Sequence, residues 1–230
     1  MSEPPDSRND IRLVVFDLAG TTVHDGGEVP IAFTRAMGDH GVALDTRTIE
    51  GLRGSSKREA VNRLVPGGPD RARIADAAYR SFRDHLRTLY ADGGIRPIAG
   101  AEKVFARLRS LGIRVALNTG FDRDITDLLL DALAWRTGTV DAVVCGGDVK
   151  HGRPAPDLIH RAMKMTGVSD VSHVANVGDT VLDLTAGHNA GVAWNIGVCS
   201  GAHTRVRLEA APHTHILESV ADLVDALGLP

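Results

Sequence analysis

The sequence predicts a doubly wound α/β fold, a parallel sheet covered by helices, with a small all-helical insert after the first strand. Three observations predict it. Short runs rich in β-branched and apolar residues alternate with helical patterns over much of the chain. Residues 29–95 interrupt that alternation with helical patterns alone. Polar residues able to do chemistry fall at the ends of the apolar runs, where open α/β sheets bind ligands.

Residues 1–10 are polar, contain Pro4-Pro5 and read as a loose tail. The run 13–16 is apolar throughout and reads as a strand buried on both faces. Residues 31–40, 46–52, 57–64 and 70–90 read as helices, with no convincing strand among them. After Gly93-Gly94 the alternation resumes, with strands expected at 113–117, 140–144, 174–177 and 192–196. Helices are expected between them at 101–111, 124–133, 156–166 and 182–190. The division is therefore a core of residues 11–28 and 96–230, a helical cap of 29–95 and a tail of 1–10. One continuous domain is the alternative.

At 230 residues the chain suits a core domain with one insert. A hydrophobic fraction of 43% with 24% charged residues argues for a globular protein and against disorder. A net charge of -3 of mixed signs gives no reason to expect nucleic acid or a membrane surface as partner. No segment reaches the roughly 18–20 apolar residues of a membrane span. Two cysteines, Cys145 and Cys199, make no disulfide framework and fit a reducing, cytoplasmic setting. His213 and His215, two apart, are weak evidence for a metal site and read as solvated; His24 and Asp25 read as loop residues or substrate contacts.

Four separated segments carry groups suited to phosphoryl transfer. Asp17 ends the first strand in Phe16-Asp17-Leu18-Ala19-Gly20-Thr21-Thr22, Thr119-Gly120 follows another strand, Arg153 lies in a Pro-rich turn, and Asp179 and Asp183 follow a fourth. A carboxylate nucleophile splits a difficult displacement into two steps through an aspartyl-phosphate. An anionic Asp17 repels an anionic phosphoryl group, so a cation must neutralise the site. Asp17 with Asp179, and Asp183 through water, offer the hard oxygen donors that Mg²⁺ prefers. Arg153 and the Thr119 hydroxyl suit the equatorial oxygens, with backbone N–H groups near Ala19-Gly20 and Gly120 completing a cradle.

This constellation resembles the haloacid dehalogenase superfamily, in the class with a C1-type cap inserted after the first motif, from about residue 11 to 227. Within it the chain is similar to phosphonatases, which hydrolyse phosphonoacetaldehyde. Three features carry that likeness: Ala19 where most relatives have an acid/base Asp, Arg153 where Lys is usual, and Gly54-Ser55-Ser56-Lys57, whose lysine lies sixteen residues after Gly41 in Gly41-Val42-Ala43. The resemblance implies a Rossmann-like core, Mg²⁺ held by Asp17, Asp179 and the Ala19 carbonyl, and substrate contacts from Arg53 and Ser56. It also implies a small organophosphorus substrate, an imine-forming Lys57 and a homodimer paired through the cap.

Ala19 and Lys57 belong together chemically. A positioned general acid contributes about 10²- to 10⁴-fold, and an alkoxide leaving from a phosphate ester needs one. Carbon leaving from a phosphonate needs an electron sink instead, which a lysine imine supplies. The chain departs from the phosphonatase pattern at Ala60, in place of a proton-handling His, at Phe121 in place of Tyr, at Arg53 in place of Met and at His24 in place of Asp. Arg53 adds positive charge and points to a more anionic substrate. Lys57 has three readings: imine formation, gripping a distal anion, or a solvated helix start capped by Ser55 or Ser56. Its imine chemistry requires a partly neutral amine, for which Arg53 and Arg58 are candidate neighbours. The functions left open are P–C hydrolysis, phosphomonoester hydrolysis and a non-catalytic binding role.

Overall fold

The computed structural model describes residues 10–136 and 138–230, without the side chains of residues 46 and 50. The expected tail at 1–10 lies outside the described residues apart from Asp10. Six strands form one parallel sheet: β1 (Leu13–Asp17), β2 (Arg114–Asn118), β3 (Ala142–Val144), β4 (Val174–Gly178), β5 (Trp194–Val198) and β6 (His215–Leu217), in the spatial order β3-β2-β1-β4-β5-β6. All five residues of β1 are buried. Val14 and Phe16 join the cluster containing Phe105, Leu117 and Trp135, while Leu13 and Val15 join the opposite one with Leu158 and Ile159. Alternate side chains of one strand thus feed two helix–sheet layers, which explains the continuous apolar run.

Four helices follow β1: α1 (Glu28–Gly38), α2 (Thr46–Gly51), α3 (Lys57–Leu64) and α4 (Arg71–Gly93). Their buried residues, among them Phe33 and Phe82 with ring centroids 4.4 Å apart, pack on one another. The two crossings between this insert and the sheet run side by side, with His24 donating from its N–H to Arg96 O at 2.9 Å and Ile98 to Thr22 O at 2.8 Å. The remaining helices α5 (Ala101–Ser110), α6 (Arg123–Ala132), α7 (Asp157–Thr166), α8 (Val181–Ala190), α9 (Arg205–Glu209) and α10 (Leu223–Ala226) belong to the sheet-bearing part.

Three of the differences from expectation concern strands and have local causes. β5 begins at Trp194 rather than 192, because Gly191 closes α8 in the left-handed region (φ 76°) and the Val192 N–H still bonds back to Gly187 O. β3 begins at Ala142 because Asp141 serves as a bracket, its carboxylate accepting from the Val115 N–H at 2.8 Å. β6 escaped the sequence reading: three half-buried residues carry too little periodicity to register. No helix among the described residues is long and apolar enough to cross a membrane. Both cysteines are free thiols, and Cys145 is buried.

Candidate active site

The carboxyl ends of β1, β2 and β4 lie side by side, and each delivers one group to a cleft closed from above by the loop before α3. Asp17 is the last residue of β1 and pairs in register with Asn118 of β2. The turn after it is tight: the N–H groups of Thr21, Thr22 and Val23 all point to Leu18 O, and Gly20 sits at φ 92°. A Cβ on Gly20 would stand 2.5 Å from Asp179 Oδ2, so only glycine lets the β1 turn approach the β4 carboxylate. About 420 Å³ of space free of protein atoms, part of it open solvent, lies in the cleft so formed.

Arg153 organises this centre. Its side chain is 3% exposed; Nη2 lies 2.7 Å from Asp17 Oδ1 and Nε 2.9 Å from Asp183 Oδ1. It also donates to Asn118 Oδ1, and to Gly54 O at 3.4 Å in the insert. A buried guanidinium with its donors distributed in this way is fixed in orientation. Asp183 has its other oxygen occupied by the Thr180 N–H at 3.0 Å and by the Thr180 hydroxyl, a capping box that starts α8. Its place is therefore behind Arg153, as the group that aims it.

Asp179 accepts from the Thr21 hydroxyl at 3.1 Å and the Ala202 N–H at 2.6 Å. Burial pushes its carboxyl well above the usual range, with the negative charges of Asp17 and Asp183 adding to the effect. Burial likewise raises Asp17 to about 6, against the attraction of Arg153. Two buried carboxylates that strain to keep their protons are what a hard divalent cation relieves. Asp17 and Asp179 both line the cleft and would be the side-chain donors to such an ion; among the described residues no group of three or more His, Cys, Asp or Glu side chains converges. Mg²⁺ accepts that small a share because it keeps several waters.

Thr119, Gly120 and Ala19 all line the cleft. The Thr119 oxygen accepts the Phe121 N–H at 3.2 Å, which leaves its proton free to donate. Lys57 heads α3 and is buried, with Nζ donating to Ser55 O at 3.1 Å and standing 5.3 Å from the centroid of the Phe121 ring. Its backbone N–H donates to Gly120 O at 3.2 Å, tying the insert to the β2 loop. Burial pushes the Lys57 amine below its ordinary value, opposed by Asp17 and assisted by Arg153.

The neighbours that sequence reasoning offered for Lys57 are different ones. Arg58 turns outward to Asp76 at 2.7 Å and over the Tyr79 ring, and Arg53 lies 3.6 Å from Asp25. Ser56 does not line the cleft; its hydroxyl caps α3, accepting from the Glu59 N–H at 3.4 Å. Arg53 does line it, and so do Asp25 and Phe121. Of the two sequence readings of Asp25, a loop residue or a substrate contact, its place in the cleft lining fits the second. His213 and His215 bond locally, to Ala211 O at 2.8 Å and Thr214 Oγ1 at 3.0 Å, and form no pair.

A profile of haloacid dehalogenase-like hydrolases matches residues 11–191. The chain belongs to this family. As a haloacid dehalogenase-like protein it is a hydrolase, and its parallel sheet is the one the sequence resemblance led one to expect. A phosphonoacetaldehyde hydrolase of Bacillus cereus is 32% identical over 209 residues, spanning 84% of this chain and 77% of that protein. The crystal structure of a phosphonoacetaldehyde hydrolase-like protein from Oleispira antarctica superposes with a TM-score of 0.84, at 23% identity, over 99% of this chain and 95% of the other. A β-phosphoglucomutase from Clostridium difficile gives a TM-score of 0.75 at 18% identity, over 93% of each chain. These two structures share the fold.

Proposed function

We propose that this hydrolase cleaves the P–C bond of a small phosphonate bearing an aldehyde or ketone, using Asp17 as nucleophile, Lys57 as imine-forming amine and Mg²⁺ at Asp17 and Asp179. The observation that carries the reading is the burial of Lys57, with its ammonium disfavoured, in the same cleft as Asp17. The bound cation would neutralise the facing carboxylates and the phosphoryl oxygens.

Lys57 Nζ, as the neutral amine, attacks the carbonyl carbon; the carbinolamine oxygen takes a proton from solvent and leaves as water, giving a protonated imine. An Asp17 carboxylate oxygen then attacks phosphorus. The P–C bond breaks, its electron pair forming the C=C bond of an enamine while the C=N pair settles on nitrogen. The enamine carbon takes a proton from solvent, and water hydrolyses the imine to free the lysine and the dephosphonylated carbonyl compound. A second water attacks the aspartyl-phosphate and releases phosphate. Arg153 and the Thr119 hydroxyl hold the phosphoryl oxygens, and Asp183 holds Arg153. The displacement at phosphorus expels carbon into the enamine and protonates no oxygen leaving group, which is consistent with Ala19.

A phosphomonoesterase is the second reading, favoured by the Lys57 Nζ bond to Ser55 O and the nearby charges of Asp17 and Asp25, all of which support an ammonium that grips an anion. One experiment separates the two. Phosphate release is measured from phosphonoacetaldehyde and from a panel of phosphate esters, with borohydride added in parallel. P–C hydrolysis predicts phosphonate turnover and a reduced adduct on Lys57 by mass spectrometry. Ester turnover far above phosphonate turnover, or full activity in Lys57→Arg, overturns it.

A further inference from the structure

The cations of the cleft are not equally engaged. Arg153 bonds Asp17, Asp183, Asn118 and Gly54, and Lys57 Nζ bonds Ser55 O. Arg53 makes no hydrogen bond among the described residues, and its ion partner Asp25 stands 3.6 Å away, beyond the 2.7–3.2 Å of an N–H···O bond. Asp25 is held off by its own turn, with Oδ1 accepting the Gly27 N–H at 3.0 Å. The two side chains are 26% and 12% exposed, so this guanidinium is largely withdrawn from water without a full set of partners. Val29 and Phe121 line the same cleft and give it an apolar portion.

We infer that Arg53 is a carboxylate-binding group, and that the substrate is a short phosphonate whose carbonyl carbon also bears a carboxylate, a phosphono-substituted 2-oxo acid. The inference rests on the P–C hydrolase reading for the carbonyl and on Arg53 for the carboxylate. A planar guanidinium with adjacent N–H donors matches a carboxylate in two parallel bonds, and such charge-assisted pairs are the strong ones. The three functional groups then meet three separate partners: phosphorus at Asp17, the carbonyl at Lys57 and the carboxylate at Arg53. The short carbon chain lies against the apolar portion. Asp25 competes with the substrate carboxylate for Arg53, which keeps the guanidinium in place before binding and lets it exchange partners.

The test uses two compounds that cannot react. Binding of 3-phosphonopropanoate and of propylphosphonate is measured by calorimetry in the presence of Mg²⁺. The wild type should bind the carboxylated compound at least tenfold more tightly. Arg53→Met should erase that preference and leave propylphosphonate affinity unchanged, Arg53→Lys should restore part of it, and Asp25→Asn should widen it. Equal affinities in the wild type, a preference that survives Arg53→Met, or no binding of either compound overturns the inference. Turnover reads the underlying reaction separately. Carboxylate selectivity without hydrolysis of any phosphonate overturns P–C cleavage and leaves the Arg53 assignment standing. Hydrolysis of phosphonoacetaldehyde without carboxylate selectivity does the reverse.

Discussion

With Asp17 and Asp179 as the proposed cation ligands, stability should depend on pH and on a divalent cation together. In the folded chain burial raises the Asp17 carboxyl from 3.8 to about 6. Asp17 thus holds its proton more tightly folded than unfolded, so its ionisation opposes folding. That penalty is complete above about pH 6 and disappears as the pH falls toward 3.8; a gap of this size corresponds to ~3 kcal/mol. Asp179 is raised in the same direction and adds to it. A cation bound between the two carboxylates offsets the penalty, and only where they are ionised. At about one hundred times its dissociation constant a ligand contributes ~2.7 kcal/mol, equivalent to roughly 5–10 °C in a chain of this length.

The assay is thermal unfolding at pH 7.5 and pH 5.0, with EDTA or with saturating Mg²⁺, for the wild type and Asp179→Asn. We expect a Mg²⁺-dependent rise of several degrees at pH 7.5, a much smaller one at pH 5.0, and almost none in Asp179→Asn at either pH. A Mg²⁺ response equal at both pH values, or one retained in full by Asp179→Asn, refutes the assignment of these carboxylates as the cation's ligands.

Asp183→Asn removes the charge that holds Arg153 Nε and leaves a buried guanidinium short of a partner; breaking a buried pair costs ~3–5 kcal/mol, read as a drop in the urea midpoint together with a fall in kcat. Gly120→Ala places a Cβ 2.5 Å from Ser55 O, the carbonyl that holds Lys57 Nζ. It should reduce borohydride trapping at Lys57 by at least tenfold while leaving the Mg²⁺-dependent thermal shift intact. Ala19→Asp restores an acid beside the nucleophile and should raise phosphate-ester turnover, by up to ~10² in a site not otherwise shaped for esters, measured as phosphate release from a small ester panel.

Much of this centre was legible in the sequence because its groups sit where a strand's apolar run ends. Asp17, Thr119 and Asp179 are each fixed by one local event, the exit of a buried strand, and the parallel order of strands brings those exits to one edge of the sheet. Groups that depend on long-range packing were harder to read. Ser56 has the side chain of a substrate contact and of a helix cap alike, and the local geometry of α3 decides for the cap. Asp183 differs again. Its acidic type points to a metal contact through water, and the folded chain also uses one oxygen to cap α8 with Thr180 and the other to pair with Arg153. Asp25 and Phe121 lie on separate segments, one before α1 and one after β2, and their sharing a cleft with Arg53 is a product of the insert's packing.

The missing acid at position 19 and the buried amine at position 57 are two parts of one electrostatic arrangement. A second carboxylate beside Asp17 would add negative charge to a site where burial already pushes Asp17 and Asp179 toward protonation. It would also draw a nearby lysine toward its charged form, as Asp17 does now. An alanine at 19 keeps the local field from favouring the ammonium further, and it leaves Lys57 closer to the neutral amine that carbonyl attack requires. On the proposed P–C reading, the alanine that weakens ester hydrolysis is therefore also the residue that favours imine chemistry. Ala19→Asp should consequently lower the rate of borohydride trapping at Lys57 as it raises ester turnover. A variant that gains ester activity with undiminished trapping would show that the two positions act independently.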